Sequence, residues 1–143
     1  MRIVKGACMK TLAGAKLLLF IGEALVILRR DDKPDIPWPN HLDFPGGALD
    51  PGETIEGCIL RETMEEVGLA LTASDLVWRR QYGRDVFFAA HFPSGHDRHI
   101  VFGDEGHGWC LMTPADYIAH PECIPRFAQV ARDYIVTKTS IVP

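Results

Sequence analysis

The sequence predicts one mixed α/β domain, and three observations carry that reading. An apolar run from Leu17 to Leu28 is interrupted only at Gly22-Glu23, which suits a tight turn between two buried strands. A Pro-free stretch from Thr54 to Val67 has helical periodicity and lies between strand-like segments. A second apolar stripe at helical spacing closes the chain, so the pattern is a mixed sheet with helices on its faces.

The 143 residues, 47% apolar and 24% charged, fit a single domain spanning residues 1–143 with a core of its own. Cys8, Cys58, Cys110 and Cys123 form no C-x-x-C pair, which argues against a zinc ribbon or a disulfide scaffold and suits a reducing, cytoplasmic compartment. His96, His99 and His107 lack the spacing of a zinc site. The formal charge of -4 provides no general attraction to duplex nucleic acid or to an anionic membrane, so an anionic substrate needs a local cation. The apolar run is also shorter than the ~20 residues that span a bilayer.

Taken in order, Arg29 to His41 is charged and Pro-rich and reads as a loop, because Pro donates no ladder hydrogen bond. Pro51-Gly52 suits the middle of a type II turn. Thr54 is placed to cap the helix, Glu56 lies in its first turn, and Gly68 is placed to close it in a left-handed conformation. Asp75 to Gln81, Asp85 to Phe92, Arg98 to Phe102 and Trp109 to Met112 read as strands rich in β-branched and aromatic residues. Thr113-Pro114 starts a short helix that Pro121 ends. From about Pro125 a last helix sets Phe127, Val130, Ala131 and Tyr134 on one stripe, which should lie on the sheet.

The central helix has two unlike faces. At about 100° per residue, Ile59, Leu60, Thr63 and Val67 share one side, and Glu62, Glu65 and Glu66 share the other. Glu62 and Glu66 are a like-charged pair one turn apart, costing about 0.2 to 0.5 kcal/mol, and two of the glutamates sit where the helix dipole disfavours anions. Three such glutamates alone are more often a solvated face. Clustered carboxylates are also what a hard divalent cation prefers, and a cation would relieve the repulsion.

The wider pattern decides between these. From Gly47 the chain reads Gly, five residues, Glu53, seven residues, Arg61-Glu62, two residues, Glu65-Glu66, one residue, Gly68 and apolar Leu69. This resembles the Nudix box, with chance agreement in one window on the order of 10⁻⁸ at ordinary residue frequencies. Phe44-Pro45-Gly46 extends the likeness upstream, and Thr63 departs from it where an aliphatic residue is more usual.

The resemblance implies an α/β/α sandwich around a mixed β-sheet. It implies hydrolysis of a diphosphate linkage in a small, nucleotide-like substrate with Mg2+ or Mn2+, because a polyanion repels its nucleophile until cations neutralise it. Glu62, Glu65, Glu66 and the Gly46 carbonyl become the metal ligands, with Glu62 also a candidate general base. Arg61 orients a catalytic carboxylate, and Glu53 fastens the loop, pairing with Arg61. A later-loop carboxylate is expected to complete the metal site or act as base: Glu105, with Asp104 as rival. Trp38, Phe44, Phe88 and Trp109 are stacking candidates for a base, against the more usual core placement. Subgroup markers are missing, since Arg84-Asp85 and Val86-Phe87 occupy positions where relatives acting on ADP-ribose or diadenosine polyphosphates carry Pro or Tyr. A MutT-like or general nucleotide pyrophosphohydrolase follows by elimination. Homodimers are common in the family. The competing readings are a non-catalytic nucleotide-binding module, which typically loses box carboxylates, and an isopentenyl diphosphate isomerase, which needs a catalytic Cys and Glu outside the box.

Overall fold

A computed structural model describes residues 11–141; Cys8 lies outside them, and Cys58, Cys110 and Cys123 are free thiols. The strands are β1 (Gly14–Ile21), β2 (Ala24–Arg29), β3 (Leu42–Asp43), β4 (Gly46–Ala48), β5 (Trp78–Tyr82), β6 (Asp85–Phe92) and β7 (Trp109–Met112). The helices are α1 (Ile55–Val67), α2 (Pro114–Ala119) and α3 (Pro125–Ile141). The sheet is mixed: β1 and β6 run parallel, and every other pairing is antiparallel.

The apolar run is apolar throughout because the sheet is covered on both faces. Leu17, Leu19 and Ile21 pack with Ile55, Cys58, Ile59 and Val67 of α1. Leu18 and Phe20 point the other way, toward Tyr117 of α2 and Phe127, Val130, Ala131 and Tyr134 of α3. The result is the expected α/β/α sandwich, and none of its described helices is long and apolar enough to cross a membrane.

One feature of the sheet opens the site. β1 and β2 pair only beside their turn, at Phe20 with Leu25 and Ile21 with Ala24. Beyond that point they part, and the chain from β3 to β4 fills the fork, with Asp43 opposite Leu28 and Gly46 opposite Lys16. A cleft forms where the fork meets α1.

The capping expectations hold. Thr54 Oγ1 accepts from the Gly57 N–H at 3.0 Å, and Gly68 adopts φ 70° while donating to the Met64 carbonyl. Two expected strands take other forms. Ala73–Asp75 is a short 3-10 turn because the Asp75 carboxylate accepts from the Thr72 N–H, which delays β5 until Trp78. Residues 98–102 form no strand: His96–His99 is a 3-10 turn, and the N–H groups of Val101 and Gly103 go to the Val67 and Glu66 carbonyls. The end of α1 thus satisfies donors that a strand partner would have taken.

Thr63 is fully buried, and its Oγ1 has no hydrogen-bond partner among the described residues. A buried hydroxyl left unpaired costs about 1 to 3 kcal/mol. Thr63→Val should therefore raise stability by about 1 kcal/mol, read as a higher urea midpoint at unchanged slope. A lower midpoint would mean that the hydroxyl is doing bonding work in solution.

Candidate active site

The helix places its carboxylates as its periodicity dictates, and Arg61 organises two of them. Its Nε and Nη2 donate to the two oxygens of Glu53 at 2.7 and 3.0 Å, the pairing expected from the sequence. Nη2 also donates to the Ala48 carbonyl at 3.1 Å, and Nη1 reaches Glu62 and Glu65, each at 3.2 Å. One planar cation thereby ties α1 to β4 and to the loop before the helix. The Arg61 hydrogen bonds hold the Glu53 carboxyl down at about 2, helped by the Asp50 N–H, and Glu53 in turn raises the guanidinium further.

Glu62 and Glu66 are set deeper than Glu65. Burial pushes the Glu62 carboxyl up, against the opposing pull of Arg61. Burial also raises Glu66 to about 7, partly offset by the Lys16 charge and by the Gly46 N–H, which donates to its Oε1 at 2.7 Å. Gly47 lies directly against Glu62: a Cβ built there would stand 2.5 Å from Glu62 Oε2. Only a glycine allows β4 to pass so close to that carboxylate.

Lys16 was not singled out by sequence reasoning, yet it forms the floor of the cleft. Its ammonium contacts Asp43 Oδ1 at 3.0 Å and donates to the carbonyls of Phe44 and Gly46, both at 3.3 Å. Arg30 approaches the same buried Asp43 from the other side at 2.9 Å. Two signals were present in the sequence: a lysine inside an apolar strand, and an aspartate between Leu42 and Phe44.

The cleft has a volume of about 350 Å³. Gly46, Gly47, Glu66 and Glu105 are among its lining residues, and Lys16, Arg29, Arg30 and Lys33 supply the cations. Asp31 and Asp43 also line the cleft, so its four cations stand among four carboxylates, and the cations that an anionic substrate requires are present in an acidic protein. Glu105 lies on an exposed loop tied at both ends, by Gly103 N–H to the Glu66 carbonyl and by His107 N–H to the Arg29 carbonyl. Its rival Asp104 is also exposed but does not line the cleft.

Among the described residues, no three carboxylate, imidazole or thiol groups converge on one point as they stand. Glu62 and Glu65 face Arg61, and Glu66 faces the Gly46 N–H. The donors are nonetheless chemically right for Mg2+ or Mn2+: hard carboxylate oxygens on adjacent turns, beside a backbone carbonyl at Gly46. The partly buried Glu66 carboxylate carries a desolvation cost that a bound cation would offset. Of the aromatic candidates, Phe44 and Phe88 are buried in the two cores, Trp109 packs at the edge of one core, and Trp38 is exposed, edge-on to His41.

Fold and site together define an α/β/α protein in which a helix carrying Glu62, Glu65 and Glu66 borders a cleft in a forked sheet. The NUDIX domain model matches residues 11–133, and the chain belongs to that family. It is 38% identical over 67 residues to an 8-oxo-dGTP diphosphatase of Escherichia coli (strain K12), covering 47% of this chain and 43% of that one. The chain matches under half the length of the curated bacterial relatives it resembles. Among solved structures, a C. elegans Ap4A hydrolase binary complex superposes with a TM-score of 0.68 at 19% identity, covering 90% of this chain and 99% of that one. A MutT protein from Methanosarcina mazei Go1 superposes with a TM-score of 0.67 at 17% identity, covering 90% and 96%. These likenesses establish the fold.

Proposed function

We propose that this chain is a metal-dependent pyrophosphohydrolase that cleaves a diphosphate bond in a small nucleotide by attack of water on phosphorus. The observation that carries the reading is the cleft itself, which Glu66 and Glu105 line together with four cations and with Asp31 and Asp43. Glu62, Glu65 and Glu66, with the Gly46 carbonyl and Glu105, are the residues that would hold Mg2+ or Mn2+. When bound, the metal supplies neutralisation of the phosphate oxygens and a lowered pKa for water. In this reading Glu62, which is half-buried and hydrogen-bonded by Arg61, would take the proton, and Glu105 is the second candidate for that task. The single-domain organisation, a cytoplasmic location and a homodimer belong to the same proposal; the three free thiols are compatible with a reducing compartment.

The test is release of nucleoside monophosphate and diphosphate across nucleoside triphosphates, oxidised purine nucleotides, ADP-ribose, dinucleoside polyphosphates and sugar nucleotides. Turnover of one class with Mg2+ or Mn2+, abolished by EDTA, supports the proposal. Silence from a folded, metal-binding protein sinks it and leaves a binding module.

Gly47→Ala is a finer probe. The added methyl would displace the Glu62 carboxylate, the far end of a flexible side chain, with little backbone strain. We expect kcat/KM to fall at least about tenfold, as a misplacement near 1 Å can, while the melting temperature stays within about 3 °C. Unchanged kinetics would show that the position of Glu62 is not used.

A further inference from the structure

We infer that this cleft selects its substrate by the length of the phosphate chain, with Lys33 as the residue that senses the outermost phosphate; the inference rests on the proposed hydrolase reading and deepens it. The cations of the cleft differ in exposure. Side-chain exposure rises from Lys16 at 15% through Arg30 at 24% and Arg29 at 31% to Lys33 at 64%. The inner three are fixed by the protein. Lys16 is held by Asp43, Arg30 by Asp43 and the Pro37 carbonyl, and Arg29 by Glu122 and the Asn40 carbonyl at 2.7 Å. Their carboxylate and carbonyl partners set their orientation before any ligand arrives.

Lys33 differs. It follows β2 in the loop after Arg29 and lines the cleft. Its ion pair with Asp31, which lines the same cleft and has His107 Nε2 at 3.5 Å as a second neighbour, is long, at 3.8 Å. An exposed pair of that length contributes little, so exchanging Asp31 for a phosphate oxygen costs little. A flexible ammonium, the most exposed of the four cations, is the one free to follow a third phosphate, while a shorter chain is met by the more buried three.

The remaining lining points the same way. The side-chain polar groups around the cleft are ionisable, and its apolar contributions are the aliphatic Leu28 and Ile36. Its volume of about 350 Å³ is at the small end for ligand clefts. Charge is what such a surface distinguishes, and the phosphate chain is where a nucleotide carries its charge. The same chemistry is offered by a nucleoside triphosphate and by inorganic tripolyphosphate.

The experiment compares the full chain with Lys33→Met and Lys33→Arg, in Mg2+, using two readouts. Calorimetry measures binding of inorganic tripolyphosphate, pyrophosphate and an uncharged nucleoside. Kinetics measures KM and kcat for the four common nucleoside triphosphates and their diphosphates. We expect tripolyphosphate to bind about tenfold tighter than pyrophosphate, and Lys33→Met to remove most of that ratio through the tripolyphosphate alone. Lys33→Arg should restore it. KM for triphosphates should rise in Lys33→Met with kcat nearly unchanged, and the four bases should differ by less than about fivefold. A ratio untouched by Lys33→Met, or a base preference above about thirtyfold, overturns the inference. Turnover with a Lys33-independent ratio sinks this inference and leaves the hydrolase standing. A Lys33-dependent ratio without turnover of any nucleotide does the reverse.

Discussion

Glu66→Gln is expected to cut turnover by about 10³-fold while making the metal-free protein more stable at pH 8. The amide keeps an oxygen to accept the Gly46 N–H, so the contact between α1 and β4 survives. What disappears is a charge in a place that burial makes costly. Glu66 is raised from an ordinary 4.5 to about 7, so folding disfavours its ionisation. Below pH 4.5 the carboxyl is protonated in folded and unfolded chains alike and costs nothing. As pH rises from 4.5 through about 7 the unfolded chain ionises first, and stability falls by about 3 kcal/mol in all. Glu66→Gln should erase that slope, so the two proteins melt together near pH 4 and diverge by pH 8. In activity the sign reverses: losing a carboxylate that would help hold the metal removes several kcal/mol of transition-state stabilisation, about 10³-fold in rate. Melting from pH 4 to 8 in EDTA, alongside kcat/KM in Mg2+, checks both halves. A variant that is less stable at pH 8, or one that keeps its rate, would remove Glu66 from the proposed site. Mg2+ should also raise the melting temperature of the parent more than that of the variant.

Such opposed effects on stability and activity explain which parts of the site could be read without a structure. The α1 segment was legible because its information is local: Thr54 and Gly68 fix its ends, and a period of 3.6 separates Ile59 and Val67 from Glu62 and Glu66. The strands β6 and β7 were legible for the same reason. The fork between β1 and β2 was not, because it depends on pairings between residues such as Lys16 and Gly46, thirty positions apart, that no local period encodes. The segment at residues 98–102 has the composition of a strand, yet Val101 and Gly103 donate to the end of α1 instead. Tertiary hydrogen bonding overrode propensity there. The cations of the cleft were hidden in the same way: Arg29, Arg30 and Lys33 read only as part of a charged, Pro-rich loop, and the fold brings them to the cleft that Glu66 also lines.

Arg61 tests whether the site depends on charge or on the shape of the charged group, and substitutions by Lys and by Met separate the two. The guanidinium uses all three nitrogens, two on Glu53, one of them shared with Ala48, and the third on Glu62 and Glu65. A lysine ammonium is a single point and cannot face Glu53 and Glu62 at once. Arg61→Lys should therefore lower kcat/KM by about 10- to 100-fold, the usual effect of removing a group that orients metal-binding side chains, with its pH profile little moved. Arg61→Met removes the charge as well. Because Arg61 opposes the upward push of burial on Glu62, its loss should raise that carboxyl further and shift the acid limb of the rate profile to higher pH. Glu53 supplies an independent check in the folding equilibrium. Held at about 2 by Arg61, it stabilises the fold above its ordinary 4.5, and that contribution is lost as pH falls toward 2. In Arg61→Met this acid-dependent loss should shrink, measured by melting between pH 5 and 2. If Arg61→Lys keeps the parental rate, the planar shape of the guanidinium is irrelevant. If Arg61→Met leaves both the acid limb and the acid melting unchanged, the pairing with Glu53 and Glu62 does not set their ionisation.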